Sequence, residues 1–503
     1  MLLLIPCFWQ SRIQAGDLSS HLYNVWLAQL IERGEAPGLR LVGQSSNVLF
    51  DLMLSTLVRW CGAGAAQRIA VSCSVLVFFW GSFAFVWSWS RRREPPWVML
   101  PSLAMLAYGW VFHMGLFNFY LSLGLCLAAM ALARRWKWPW IATGAGLLLL
   151  AYPAHSMPVL WAMSVLALER TERALAPRRR PGLMIGLLAA LAFTGLLLAK
   201  LFVTGRGVKQ FLAVTGVDQL WTFSQLYLAV ALALFAAWAA CFLQVWRTRG
   251  TARTLLDVRT QICFISAMAL ILLPDGVLLP GYRAGLDFIA ERMSLASAVL
   301  FCGVLASARV PRMLTALMAV IAIVFFGMTY RDERALNRLE TDMEQAVAQL
   351  PPSRRVVSGL ANPEQRMRAR THLIDRVCFG RCYSYANYEP GSAAFRVRAD
   401  GPNPIVAWTY ADSWEMQTGV YVVRPRDLPL YRIAWCDSAE DRLCVAPMNA
   451  GDHTLFRLDP HAVETAVNEG HRNQQENHAE YRAESGALLI VQRYRQFYSQ
   501  QPE

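Results

Sequence analysis

The chain has 503 residues, of which 55% are hydrophobic and 17% charged, and its mean hydropathy is +0.31. Soluble domains carry about a quarter charged residues, so a single soluble globule, a disordered chain, a collagen-like repeat and a small disulfide scaffold are excluded. The formal charge of +13 raises the question of nucleic-acid binding, which the placement of that charge can answer.

Composition changes near Tyr330. Residues 1–330 hold 27 Lys+Arg against 12 Asp+Glu, whereas residues 331–503 hold 21 against 23. The first part is a series of apolar stretches separated by short Arg clusters; the second is charged throughout. The expected fold is an α-helical polytopic membrane domain over 1–330, with a first outer loop over 10–68. A small α/β or α+β domain follows over 331–503, long enough to bury a core of its own.

In chain order, Met1 to Trp9 is apolar but reaches only about 14 Å at 1.5 Å per residue. It reads as the end of a first span whose translation starts upstream, which a longer reading frame in the source DNA would support. A cleaved signal peptide is the rival, disfavoured because no basic region precedes the apolar run. Residues 18–33 (LSSHLYNVWLAQLIER) place Leu18, Leu22, Val25, Trp26 and Leu30 on helical spacing, which predicts an amphipathic helix on the outer surface. Residues 47–60 read as an interfacial or re-entrant helix with Asn47 as its N-cap. Full spans are expected at 69–89, 98–112, 116–133, 138–152, 157–168, 182–203, 226–246, 262–279, 293–308 and 313–329. With the first span these make eleven. In the tail, 331–350 reads as a polar helix, and RRVVSGL, GVYVV, YRIAWC and RLCVAPM as strands. Residues 461–503 are polar and rich in Gln, Asn and Glu, either helical or partly disordered.

Arg91–Arg93, Arg134/Arg135/Lys137, Arg170 to Arg180, Arg247 to Arg259 and Arg309/Arg312 fall in alternate loops and together hold 17 basic residues. The loops between them hold none near His113, none near His155, then Arg206 with Lys209, and Arg283 with Arg292. This is the positive-inside pattern of a multi-pass protein of a bacterial inner membrane. The +13 is thus an orientation signal and no nucleic-acid partner is expected. An odd number of crossings puts the tail on the outer, periplasmic side. The tail's Cys378, Cys382, Cys436 and Cys444 then lie in an oxidising compartment, and we expect the pairs Cys378–Cys382 and Cys436–Cys444. A four-thiolate zinc site is the alternative, with spacing unlike a zinc ribbon.

No P-loop, dinucleotide fingerprint, HExxH or GxSxG motif occurs, which argues against an ATP-driven pump and the common hydrolases. Ionisable groups at the outer boundary of an apolar domain are costly and carry functional weight. Asp17, in DLSSH, can act as a general base or cap the following helix. His21 stands in the same segment. His113 and His155, in very short outer loops, can contact a phosphate or sugar hydroxyls, or bond neighbouring backbone. In the loop PGYRAGLDFIAER, Arg283 and Arg292 suit a lipid phosphate, with Asp287 and Glu291 beside them; a helix cap with Arg283–Asp287 pairing explains part of the pattern equally well. Lys200, Arg206 and Lys209 read as headgroup contacts.

A first span, an outer loop opening on an acidic residue, two surface helices, many spans and a C-terminal outer domain form a familiar order. It resembles the GT-C class of integral-membrane glycosyltransferases, which use polyprenyl-phosphate sugars and include protein mannosyltransferases and lipid A aminoarabinose transferases. The segment GDLSSHLYNVWLAQLIERGEAPGL looks like the first outer loop of bacterial proteins of that type. The resemblance covers the topology of about 1–330 and matches one residue, Asp17, to the class's first-loop catalytic carboxylate. It implies transfer of a sugar from a polyprenyl-phosphate donor to a periplasmic or lipid acceptor. Asp17 would be the base, and Arg283 or Arg292 with His113 or His155 would neutralise the leaving phosphate. Membrane lipids, the lipid-linked donor and an unidentified acceptor are then the partners. No cofactor is implied, and no DxD or ExD pair points to a divalent metal. Two other readings are a transporter or flippase, which predicts internal repeats and mid-membrane charge, and a non-catalytic envelope-assembly protein whose tail binds a partner. We find no repeat, and the only candidates for buried charge, Lys200 and Asp275, lie near span ends.

Overall fold

The computed structural model describes residues 2–90, 92–135, 137–175, 190, 194–195, 213–273, 276–277, 285–360, 366–367, 369–436 and 439–454. The expected span at 182–203, apart from 190 and 194–195, and the polar segment 461–503 lie outside these residues. So do Arg283, Asp275, Lys200, Arg206 and Lys209.

The chain is predominantly helical. The first half runs through α1 (Leu18–Glu32), the short strand β1 (Leu39–Leu41), and α2 (Leu49–Ser90). It continues with α3 (Leu100–Ala107), α4 (Trp110–His113), α5 (Phe117–Ala133), α6 (Trp138–Ala154) and α7 (Ser156–Leu175). Then come α8 (Leu226–Arg249), α9 (Thr251–Leu255), α10 (Val258–Leu272), α11 (Ile289–Leu305) and α12 (Arg312–Val347). Among the described residues three helices, α2, α8 and α12, are long and apolar enough to cross a membrane. Shorter apolar helices stand over Trp97–His113, Phe117–Ala133 and Val258–Leu272. The expected span at 98–112 is interrupted between α3 and α4. The helix begun at 156 runs to Leu175, well past the expected 157–168.

α2 contains a break: Gly62, at φ 76° and ψ 164°, separates an arm over 49–61 from the apolar helix over 63–90. The arm is helical where a helix was expected over 47–60, but its cap differs. The Leu52 N–H donates to the Val48 carbonyl (3.0 Å), so Val48 takes the cap position and Asn47 precedes it with φ 57°. α2 and α5 meet at glycines: a Cβ on Gly81 would lie 2.2 Å from the Gly124 carbonyl oxygen, a contact only a bare backbone permits.

Arg92, Arg134, Arg249 and Arg259 gather at one end of the helices. Arg134 donates to Ser88 and Glu169, Arg259 to the Trp89 carbonyl, Arg92 to the Ala308 carbonyl and Arg249 to the Ser307 carbonyl. All lie at the C-terminal end of α2 and α5. The N-terminal end of α5 is 17 residues away, about 25 Å at 1.5 Å per residue.

α12 carries the chain from this apolar bundle into the tail as one helix. Its second half is amphipathic, burying Leu336, Leu339, Glu340, Met343 and Val347 at helical spacing. The tail adds β2 (Arg355–Ser358), α13 (Leu373–Cys378), β3 (Tyr383–Ser384), α14 (Glu389–Ser392), β4 (Val397–Ala399), α15 (Tyr410–Thr418), β5 (Leu430–Cys436) and β6 (Ala439–Met448). A mixed sheet has the order β3-β2-β5-β6, parallel except for the β5–β6 hairpin. The expected GVYVV strand is reduced to an isolated bridge, Val422 to His453, flanked by hydrogen bonds from the Val423 N–H to the Asp452 carbonyl (2.9 Å) and from the Thr454 N–H to the Tyr421 carbonyl (3.0 Å). Both expected disulfides are present, Cys378–Cys382 and Cys436–Cys444, with Cα separations of 4.5 and 5.1 Å.

The tail is stitched to the first loop. β1 pairs antiparallel with β4, Arg40 facing Arg398. α1 is not the amphipathic surface helix expected; it is buried on nearly every side. Its polar residues face the tail: the Ser384 N–H donates to Tyr23 Oη (2.9 Å), Ser20 Oγ to Glu389 Oε1 (3.0 Å), and Asn387 Nδ2 to Asn24 Oδ1 (2.9 Å). The periodicity marks the side against the bundle; the other side is covered by residues some 360 positions later.

Candidate functional site

A cavity of about 290 Å³ opens where the first loop, the N-terminal ends of α5, α7 and α11, and the tail meet. Five of the expected site residues line it: Asp17, His21, His155, Asp287 and Arg292. Their convergence follows from the chain's alternation, since each stands at a helix end opposite the Arg-rich loops.

Asp17 sits at the start of α1, but its carboxylate makes no capping hydrogen bond. It points instead toward His372, with Oδ1 3.6 Å from Nε2. Its backbone is fixed by α4: Gly16 N–H donates to the His113 carbonyl (2.7 Å) and Asp17 N–H to the Met114 carbonyl (2.9 Å). Gly115, at φ +79°, makes this approach possible, because a Cβ there would lie 2.6 Å from the Asp17 nitrogen.

His21, one turn further along α1, donates from Nδ1 to Asp51 Oδ1 (2.6 Å). Asn118 Nδ2 donates to the other oxygen, Asp51 Oδ2 (2.8 Å), and Asn118 Oδ1 in turn accepts from the Phe50 N–H (2.8 Å). Burial alone would lower the histidine's proton affinity; the Asp51 charge and hydrogen bond outweigh it and lift the pKa to about 9. His21 is therefore a cation at neutral pH. Glu389, buried beside it, is pushed up to about 8 by desolvation.

His155 lies between α6 and α7, 4% exposed. Burial and the neighbouring guanidinium of Arg292 push its pKa down to about 3, so the ring is neutral. Nδ1 accepts from the Met157 N–H (3.2 Å), which puts the proton on Nε2. That nitrogen stands 3.4 Å from Arg292 Nη1. Two donors thus converge with no acceptor between them, and Arg292 Nε is also buried without a hydrogen-bond partner. A ligand oxygen placed between them would accept from both.

The remaining wall comes from the tail. His372 donates from Nδ1 to Asp375 Oδ2 (2.9 Å), and Ser384 Oγ donates to Asp375 Oδ1 (2.5 Å). Burial opposes, but Asp375 and then Asp17 raise, the proton affinity of His372 above that of a free histidine. Tyr388, Phe395, Tyr410 and Trp414 add aromatic surface to the same wall.

Two expected site residues are elsewhere. His113 does not line the cavity; it is fully buried, donates from Nδ1 to the Gln14 carbonyl (3.3 Å) and faces Phe223. Glu291, one position before Arg292, projects about 100° away around the helix and also misses the cavity. Arg283 is outside the described residues. Sequence reasoning missed Asp51, Asn118, His372, Asp375 and Tyr388. A charged residue inside an otherwise apolar helix was the available signal for Asp51, and the His-x-x-Asp spacing for the tail pair. Among the described residues no three His, Cys, Asp or Glu side chains are grouped to hold a metal ion. Comparison of the chain with family models, with characterised proteins and with solved structures gave no significant match.

Proposed function

We propose that the chain is an integral-membrane glycosyltransferase of the GT-C type. It would move a sugar from a polyprenyl-phosphate donor to a periplasmic or lipid acceptor, with Asp17 as general base. The observation that carries this reading is the cavity itself. An uncapped carboxylate, a cationic histidine and an arginine paired with a neutral histidine face one space, at the end of the bundle opposite the basic loops. Transfer from a phosphate leaving group needs this combination. A base removes the acceptor proton, cations stabilise the charge that develops on phosphate, and aromatic faces stack against the sugar.

In this reading the chain crosses a bacterial inner membrane eleven times, with the cavity and tail on the periplasmic side. The charge asymmetry of the loops supports that orientation. Arg292 and His155 hold the donor phosphate, and the His21–Asp51 ion pair borders the same space. The lipid-linked donor is a substrate, and no step calls on a metal.

The test is transfer in proteoliposomes, using radiolabelled polyprenyl-phosphate mannose, glucose or aminoarabinose with bacterial envelope extract as acceptor. Wild type should release polyprenyl phosphate, and Asp17→Asn should lose that release while keeping its expression level and gel-filtration profile. Undiminished turnover in Asp17→Asn would reject the base; no release with any donor would reject the transferase reading.

A further inference from the structure

We propose that His372, a residue of the tail, completes the base of this cavity by taking the proton that Asp17 removes from the acceptor. The proposal rests on the glycosyltransferase reading and adds a residue to the same site.

The geometry has three parts. His372 Nε2 is open toward Asp17, 3.6 Å from Oδ1. Nδ1 is committed to Asp375, a carboxylate only 2% exposed whose second oxygen accepts from Ser384. An ionised carboxylate only accepts, so Asp375 holds the ring's proton at Nδ1 and leaves the Nε2 lone pair facing the cavity. A histidine serving only to pack the tail would have no need to direct a basic nitrogen at an uncapped carboxylate.

The ring is also held in place. α13, which carries Asp375 just after His372, ends at the Cys378–Cys382 disulfide. Arg376 on the same helix donates to Glu340 Oε1 (2.6 Å), to Gln67 Oε1 (3.1 Å) and to the carbonyl of Ile13 (3.0 Å), four residues before Asp17. The same guanidinium therefore ties His372's helix to α12, to α2 and to the loop bearing Asp17. The titratable groups facing His372 are Asp17 from the first loop, Asp375 on its own helix, and Tyr388 and Glu389 from the segment after β3.

The step balances within the site. The acceptor oxygen bonds to the anomeric carbon as the bond from that carbon to the phosphate oxygen breaks. The electron pair of the broken bond leaves with polyprenyl phosphate. The acceptor's proton passes to Asp17 and then to His372 Nε2, giving an imidazolium between two carboxylates, Asp17 and Asp375. Nothing is oxidised or reduced.

The experiment compares wild type, His372→Gln, Asp375→Asn and Asp17→Asn as full chains. In the proteoliposome assay, His372→Gln should lower kcat on the order of a hundredfold with donor KM unchanged. It should also abolish the limb of the kcat–pH profile that titrates in the histidine range, and Asp375→Asn should shift that limb to lower pH. A His372→Gln enzyme that keeps both its kcat and that limb overturns the proposal. A second readout does not depend on turnover. In detergent, ¹³C-histidine spectra identify His372 as the resonance missing from His372→Gln, and its pKa should fall in Asp17→Asn. An unmoved pKa overturns the pairing. A shifted pKa in a wild-type chain that transfers nothing supports the pairing and rejects the transferase reading instead.

Discussion

Replacing Asp51 by Asn removes the charge that keeps His21 protonated. Asp51 is the hydrogen-bond acceptor for His21 at 2.6 Å, and the pair is largely buried, with side-chain exposures of 7% for His21 and 16% for Asp51. The histidine's pKa stands at about 9 against an ordinary 6.5. At about 1.4 kcal/mol for each tenfold change in proton affinity, that difference is worth on the order of 3 kcal/mol of folding free energy. Because the folded value is the higher one, the contribution is complete below about pH 6.5. It is lost as the pH climbs through about 9. The apparent melting temperature in detergent, taken at one scan rate from about pH 6 to about pH 10, reads it out. Asp51→Asn should melt several degrees below wild type at the acid end, and the gap should close toward the alkaline end. A gap of constant size across that range would refute the reasoning, since it would show a packing loss with no titrating partner.

Two further substitutions probe how the site is held. Gly115→Ala forces a side chain onto a backbone at φ +79° and within 2.6 Å of the Asp17 nitrogen. It should cost about 2 kcal/mol or more by thermal melting and reduce transfer further than that loss of stability explains; a variant with wild-type melting and turnover would contradict the placement of Asp17 by α4. Arg376→Ala leaves Glu340, whose side chain is fully buried, without its closest cation. Breaking such a pair costs roughly 3 kcal/mol or more. Limited proteolysis should then cut between α12 and α13, and a wild-type digestion pattern would show that the tail is held in some other way.

The helical bundle was legible because apolar stretches of span length have few alternatives, and the Arg-rich loops fixed which helix ends share a side. That is why Asp17, His21, His155, Asp287 and Arg292 could be assigned to one side from the sequence. The same reasoning put His113 among them, yet a span end sets depth and not direction. The turn at Gly115 packs His113 against the first loop instead of the cavity. Glu291 fails for a related reason, being one residue out of phase with Arg292 on α11. The tail's contribution was illegible. His372 and Asp375 reach the site only through the docking of α13 and α14 on α1. The pattern of α1 shows its apolar spacing but not the long-range partners that bury Ser20, Tyr23 and Asn24. The two disulfides could be read because four cysteines with short spacings in one stretch of the chain leave few pairings.

The central claim is that this cavity holds a polyprenyl-phosphate sugar with its phosphate on Arg292 and His155. The most direct measurement is an electron cryomicroscopy structure of the full chain in nanodiscs supplied with polyprenyl-phosphate mannose. The account predicts phosphate density within hydrogen-bond distance of Arg292 Nη1 and His155 Nε2, with the sugar between them and the Asp17–His372 pair. Donor density at a different site, with the cavity holding only solvent, would contradict it.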